Sequence, residues 1–187
     1  MDSRDSRFET LVVEHCAATL AGYKCASLFC FQNTIVAQHE AARLDTLLEK
    51  KGVRVRLLRN CAKGALIYVY RPRMLEKQLM QKDTAAFLAS FGYRPFDMED
   101  CLIRLSMRLN EARDFPHEVG IFLGYPLHDV KGFILNRGQC YCCKGCWKAY
   151  ENKEEAEKCF ALYRRCRKAY RSFYRKGFDV ARLTVAA

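Results

Sequence analysis

The chain reads as a mixed α/β (α+β) protein, a helix-rich single domain covering a small sheet of about three or four short strands. Three observations predict this. Apolar residues recur every three or four positions over several long stretches, the period of an amphipathic helix. Between them lie short runs rich in aromatic and β-branched residues, as strands require. No Pro/Gly/Ser-rich linker divides the 187 residues, a length that suits one domain with a real core. That domain is expected over 1–177, with 178–187 as a short apolar C-terminal tail that docks or frays.

Each element has its own signal. Residues 6–20 predict a helix with Phe8, Leu11, Val12, His15 and Leu20 near one face, stopped at Ala21-Gly22. Residues 25–31, Cys-Ala-Ser-Leu-Phe-Cys-Phe, predict a strand. Over 33–50, Ala37, Ala41, Leu44 and Leu48 keep helical spacing, and Lys50-Lys51-Gly52 closes the helix. Residues 53–58 alternate as a half-exposed strand, and 65–70, Ala-Leu-Ile-Tyr-Val-Tyr, predict a buried one. The turn-forming residues 60–64 join the two as an antiparallel hairpin. Short helices follow near 73–81 and 83–91. Asp97 then caps a longer helix to about 113, with Met98, Leu102, Leu105, Leu109 and Ala112 as its seam. Residues 139–150 read as a loop with a short strand. The last helix spans about 153–176, with Cys159, Tyr163, Cys166, Tyr170 and Phe173 as its apolar seam.

Composition narrows the class without fixing the function. Half the residues are hydrophobic and 28% are charged, ordinary for a globular protein. No apolar run approaches the ~18 residues of a membrane span. The polar start, Met-Asp-Ser-Arg-Asp-Ser-Arg, lacks an apolar signal core, so a cytoplasmic location is expected and most of the eleven cysteines are expected to be reduced. The net charge of +11 favours nucleic acid, anionic surfaces or an acidic protein as partner, and selects none of them. Arg164, Arg165, Arg167, Lys168, Arg171, Arg175 and Lys176 lie within 160–176, where there is no acid. That face is a candidate for nucleic-acid phosphates or an acidic partner. Its competitor is an ordinary solvated helix face.

The densest stretch is 115–134, with two prolines, three glycines, two histidines and two acids in an apolar frame. Asp114 can cap a helix entering at Phe115-Pro116, where proline suits the first turn. Glu118 would then meet the positive end of the helix dipole. Gly120 and Gly124 fall four apart and permit close approach of a neighbour. Tyr125-Pro126 breaks this helix and starts another, with Asp129 in its first turn and Asn136-Arg137-Gly138 as its stop. His117 and His128 would sit at helix starts, where a neutral imidazole is favoured as a metal ligand or base. The bland alternative is hydrogen bonding near the caps.

This stretch resembles the signature of a bacterial family catalogued as domain of unknown function 3793. Residues 115–126, Asp129-Val130 and 132–134 carry the likeness. Further similar stretches are Cys16 with Thr19-Leu20-Ala21-Gly22, Lys24 and Leu28-Phe29; residues 67–71; and residues 145–150. The resemblance implies one family domain and brings no activity with it. The chain departs from the family's pattern at Cys146 and Ala149, where an aromatic residue and a valine are usual. A metal role for the cysteine run is therefore not carried over from the family.

Three constellations are candidates for function. Cys16, His117 and Glu118 match motif positions and contain the thiol and imidazole that a nucleophilic site needs; the same trio could bind a metal ion. A ligand surface around them would draw on Lys24, Gly120, Gly124, Tyr125 and Asp129. Cys140, Cys142, Cys143 and Cys146 contain a Cys-x-x-Cys pair that can grip zinc or iron or cycle as a dithiol, although four ligands so close in sequence are cramped for one ion. The third candidate is the basic helix. No phosphate-binding glycine loop, dinucleotide fingerprint, His-Glu-x-x-His or Gly-x-Ser-x-Gly motif is present, so the common nucleotide-driven and hydrolase chemistries lack support.

Overall fold

The computed structural model describes residues 6–61, 64–94, 97–111 and 115–186. The elements run α1 (Ser6–Leu20), β1 (Ala26–Phe31), α2 (Thr34–Leu48), a 3-10 turn at Glu49–Lys51, β2 (Arg54–Cys61), β3 (Gly64–Tyr70), α3 (Pro72–Leu79), α4 (Lys82–Ala89), α5 (Met98–Glu111), α6 (Val119–Phe122), α7 (Leu127–Leu135), β4 (Cys143–Lys144), β5 (Lys148–Ala149), α8 (Lys153–Arg175) and α9 (Val180–Leu183). This is the helix-rich α+β fold that the sequence predicts. Its contacts divide into two units, Met1–Arg73 with Arg165–Ala187, and Met74–Arg164. None of the described helices is long and apolar enough to cross a membrane.

The first unit holds a three-stranded antiparallel sheet in the order β1-β3-β2. Alternation along β3 sends Ala65, Ile67 and Val69 to one face, where they pack with the seams of α1 and α2. Phe8 of α1 meets Phe29 and Phe31 of β1 edge-on, at 5.6 and 5.2 Å between ring centres. Tyr68 and Tyr70 point to the other face and stack on each other at 5.0 Å. The α2 helix starts where its cap predicts, with the Val36 N–H donating to Asn33 Oδ1 at 3.1 Å. It closes at Gly52, whose φ is 70°.

The β2–β3 hairpin corrects one expectation. Leu57 faces Ile67 but Arg59 faces Leu66, so Leu58 is an extra residue and the register shifts there. The bulge lets β2 run on to Cys61, paired with Gly64. The connection expected over 60–64 therefore shrinks to residues 62–63, which lie outside the described set.

Arg71, just beyond β3, is buried, and its guanidinium binds backbone rather than an acid. Nε donates to the Thr19 carbonyl at 2.6 Å, and Nη2 to the carbonyls of Leu20 and Val185, both at 2.7 Å. Thr19 and Leu20 end α1, whose last carbonyls have no partner within the helix. One cation thus closes α1 and ties down the C-terminal segment. Lys51 adds to this, donating to the carbonyls of Ala181 and Thr184 at 2.7 and 2.8 Å. With Val180 and Leu183 buried in the α1–α2 core, the C-terminal segment docks.

In the second unit, Asp97 caps α5 as expected, accepting from the N–H groups of Glu99 and Asp100. Cys101, Leu102, Leu105 and Leu109 form its buried seam, while Ala112 lies outside the described residues. The expected seam of α8 is corrected. Ala156 and Phe160 are buried in the second unit and Cys166 is buried in the first, but Phe173 is 42% exposed.

Replacing Arg71 by methionine should leave the three carbonyls without their donor and cost about 3 kcal/mol in a urea titration. Arg71→Lys should recover only part of that, because a single ammonium cannot reproduce the planar fork.

Candidate functional site

The 115–134 stretch forms two short helices with an elbow, but its first helix starts later than expected. The N–H groups of Val119, Gly120 and Ile121 bond to the carbonyls of Pro116, His117 and Glu118, at 3.2, 3.1 and 3.0 Å. These three-residue steps make a tight lead-in rather than a first α-helical turn. Pro116 and His117 thus precede α6, and Glu118 stands at its N-cap. The expected cap at Asp114 lies outside the described residues. Gly124, with φ at 76°, ends α6, and Pro126 occupies the N-cap of α7. Gly120 allows α6 and α7 to touch, since a Cβ there would fall 2.7 Å from a Val130 methyl.

Both acids of the stretch are buried and engaged. Glu118 Oε1 accepts from Arg108 Nε of α5 and, at 3.1 Å, from the Tyr93 hydroxyl. Burial and the carboxylate beside it push the Tyr93 phenol well up, so it stays a donor. The role expected for Glu118 at a helix dipole is replaced by this anchor to α5. Asp129 is only 2% exposed. Its Oδ2 accepts from Trp147 Nε1 at 2.7 Å, and its Oδ1 from the backbone N–H groups of Tyr150 at 2.6 Å and Glu151 at 3.3 Å. His128 Nε2 lies 3.6 Å from the same carboxylate.

Asp129 therefore docks the β4–β5 hairpin onto the elbow. Aromatic contacts fill the joint. Trp147 stacks on Tyr125 with ring centres 5.1 Å apart and meets Phe160 of α8 edge-on at 4.5 Å. The Tyr125 hydroxyl donates to the Cys146 carbonyl at 3.1 Å. Two glycines make the approach possible: a Cβ at Gly132 would sit 2.5 Å from the Tyr150 ring, and one at Gly145 would sit 2.3 Å from Phe160.

Between elbow and hairpin lies a pocket of about 320 Å³. The elbow side is lined by Phe115, Val119, Leu123, Tyr125, Val130 and Phe133; the hairpin contributes Lys144, Cys146, Trp147 and Lys148. His117 lines it too and meets the Phe133 ring edge-on at 4.8 Å. Of the residues singled out from sequence, His117, Gly120, Tyr125, Asp129 and Cys146 thus share one pocket. Phe133, Val130, Trp147 and the two lysines were not foreseen, although 145–150 was one of the stretches that carried the family likeness.

The other candidates sit elsewhere. Cys16 is wholly buried in the first unit's core, where burial pushes its thiol up to about 12. The nearby Lys24 charge pulls the other way and does not offset the burial. This environment favours the thiol, whereas nucleophilic or metal-binding sulfur is the thiolate. In the cysteine run, Cys142 Sγ donates to the Ala149 carbonyl at 3.1 Å and Cys143 packs toward Phe160, while Cys140 and Cys146 are exposed. Among the described residues no group of three or more His, Cys, Asp or Glu is placed to hold a metal ion, zinc and iron included. On the basic helix, Arg167 and Arg171 reach Glu14 at 3.8 and 3.2 Å, while Arg164, Arg165, Lys168 and Arg175 are exposed.

Residues 12–184 match the family model described as Protein of unknown function (DUF3793). No curated protein and no solved structure matches the chain.

Two outcomes test this geometry. Asp129→Asn should cost about 2 kcal/mol in denaturant melts and shift the Trp147 emission to the red, since an amide cannot accept from three donors on both its heads. With a thiol-reactive chromogen at pH 8, the exposed Cys30, Cys140, Cys142 and Cys146 should react within minutes. Cys16 should stay unlabelled until the protein unfolds, because a thiol near 12 is ionised in roughly one molecule in ten thousand at that pH.

Proposed function

Because the chain belongs to the DUF3793 family of proteins of unknown function, its role has to be read from its own geometry, and we propose that the pocket between elbow and hairpin binds a small, largely apolar ligand. One observation carries this reading. Two of the aromatic rings that line the pocket, Tyr125 and Trp147, are each fixed by a hydrogen bond as well as by their mutual stack. A ligand ring would meet a wall that has already lost its rotamer freedom, which removes part of the ordinary entropy cost of binding.

The volume lies at the small end of ligand pockets and suits one ring system or a short branched chain. The reading is a binding role. His117 serves in it as a polar wall beside Phe133, and Asp129 holds the hairpin that completes the pocket.

Trp147 is the only tryptophan in the chain, so its fluorescence reports on the pocket directly. Titration with single-ring aromatic probes should give a saturable change in its emission. For ~10 heavy atoms contributing about 0.5 kcal/mol each, the Kd should be on the order of 0.1 mM. Val119→Phe, which fills the pocket, should abolish the response. Phe115→Ala, at a half-exposed wall position, should weaken it with the circular dichroism unchanged. A response that is linear in probe concentration, or identical in both variants, would remove the pocket from consideration.

A further inference from the structure

We propose that the ligand of this pocket is an amphipathic carboxylate, its apolar body against Tyr125 and Trp147 and its carboxylate at Lys144 and Lys148. The inference rests on the pocket reading above and adds the chemical class of the ligand. Its ground is the charge at the pocket's hairpin side. Lys144 and Lys148 both line the pocket, and they are direct partners in the antiparallel register of β4 and β5. Like charges placed opposite each other across two strands repel, and such pairs destabilise a hairpin unless something negative lies between them.

The pocket's own acid forms no ion pair with either lysine. Asp129 is buried, and both its oxygens accept hydrogen bonds from Trp147, Tyr150 and Glu151. Lys148 is held in place: its ammonium donates to the Gly138 carbonyl at 2.6 Å and lies 5.7 and 4.9 Å from the ring centres of Phe133 and Tyr141. Lys144 is exposed and on the same side of the hairpin as its partner. A fixed cation and an adjustable one thus border an apolar hollow, with the exposed His117 as a further donor. A carboxylate bonded to ammonium donors forms charge-assisted hydrogen bonds, and the apolar remainder of the ligand leaves water.

The test compares matched pairs, 3-phenylpropionate with 3-phenylpropionamide and 4-phenylbutyrate with its amide. Each is titrated into the full-length protein with Trp147 emission as readout, at low and at physiological salt. The acids should bind at least tenfold more tightly than the amides at low salt, and the gap should narrow as salt rises. Lys144→Gln should remove most of the gap, and Lys144→Glu should reverse the preference. Equal affinity for acid and amide would overturn the carboxylate assignment and leave the pocket reading standing. A preference for the acid that survives Lys144→Glu would overturn it as well. No saturable response to either member of a pair would overturn both.

Discussion

The second unit is organised by one buried carboxylate. Two strands of two residues each make a hairpin far below the size that stands alone in water, so β4 and β5 need an external hold. Asp129 provides it from the first turn of α7. Its oxygens satisfy the Trp147 indole and the backbone N–H groups just after β5, all of which would otherwise be costly to bury. The dependence is mutual. A carboxylate this far from water is tolerable only because the hairpin delivers donors to it. Tyr125, Trp147 and Phe160 then stack across the joint, and Gly132 and Gly145 give up their side chains to let it close.

Charge is used internally in the same way elsewhere in the chain. Glu118 joins the elbow to α5 through Arg108 and Tyr93. Arg43 lies between the buried Glu9 and Glu40, binding both at 2.7 Å. Arg71 does without an acid and gathers three carbonyls. Of these groups only Glu118 and Arg71 lie in stretches that stood out in the sequence, and each is occupied with holding segments together. A charged residue in an apolar frame must be paired or bonded whatever else it does, so pairing is the first demand such a residue meets. Function is left to the groups that face a cavity with capacity to spare.

Local patterns made much of the fold legible. The seams of α2 and α5 and the alternation of β3 follow periods that need only neighbouring residues, and they appear where expected; in α1 Phe8, Val12 and Leu20 are buried as expected, but His15 is exposed. Departures occur where a distant partner decides. The bulge at Leu58 is a property of the β2–β3 pairing, not of β2 alone. Pro116 suits a first helical turn and a tight lead-in equally well, and the anchoring of Glu118 selects the latter. The predicted seam of α8 kept a strict seven-residue repeat, which drifts about 20° per heptad around a straight helix, so Phe173 has rotated outward. At the site, the dense 115–134 string did mark the right place. What it could not convey was that Asp129 bonds to residues 18 to 22 positions away and that 144–148 forms the opposite wall.

The lysine pair on that wall differs from these ion pairs, because among the described residues no carboxylate pairs with either lysine. Glu9 and Glu40 share an arginine, and Arg54 is met by Asp45 at 2.7 Å, but Lys144 and Lys148 face each other in register. Repulsion between surface ammonium groups is ordinarily relieved by splaying the long side chains apart. Here one of the two is not free to swing, because Lys148 is bonded to Gly138 and lies by two aromatic rings. Relief must come from Lys144 or from solution. The hairpin is also too short to absorb strain by shifting register, since a one-residue slip would carry Trp147 away from Asp129. The hairpin that carries both lysines is therefore held by the same carboxylate that builds the pocket, and that carboxylate's oxygens are bonded to Trp147, Tyr150 and Glu151 rather than to either ammonium.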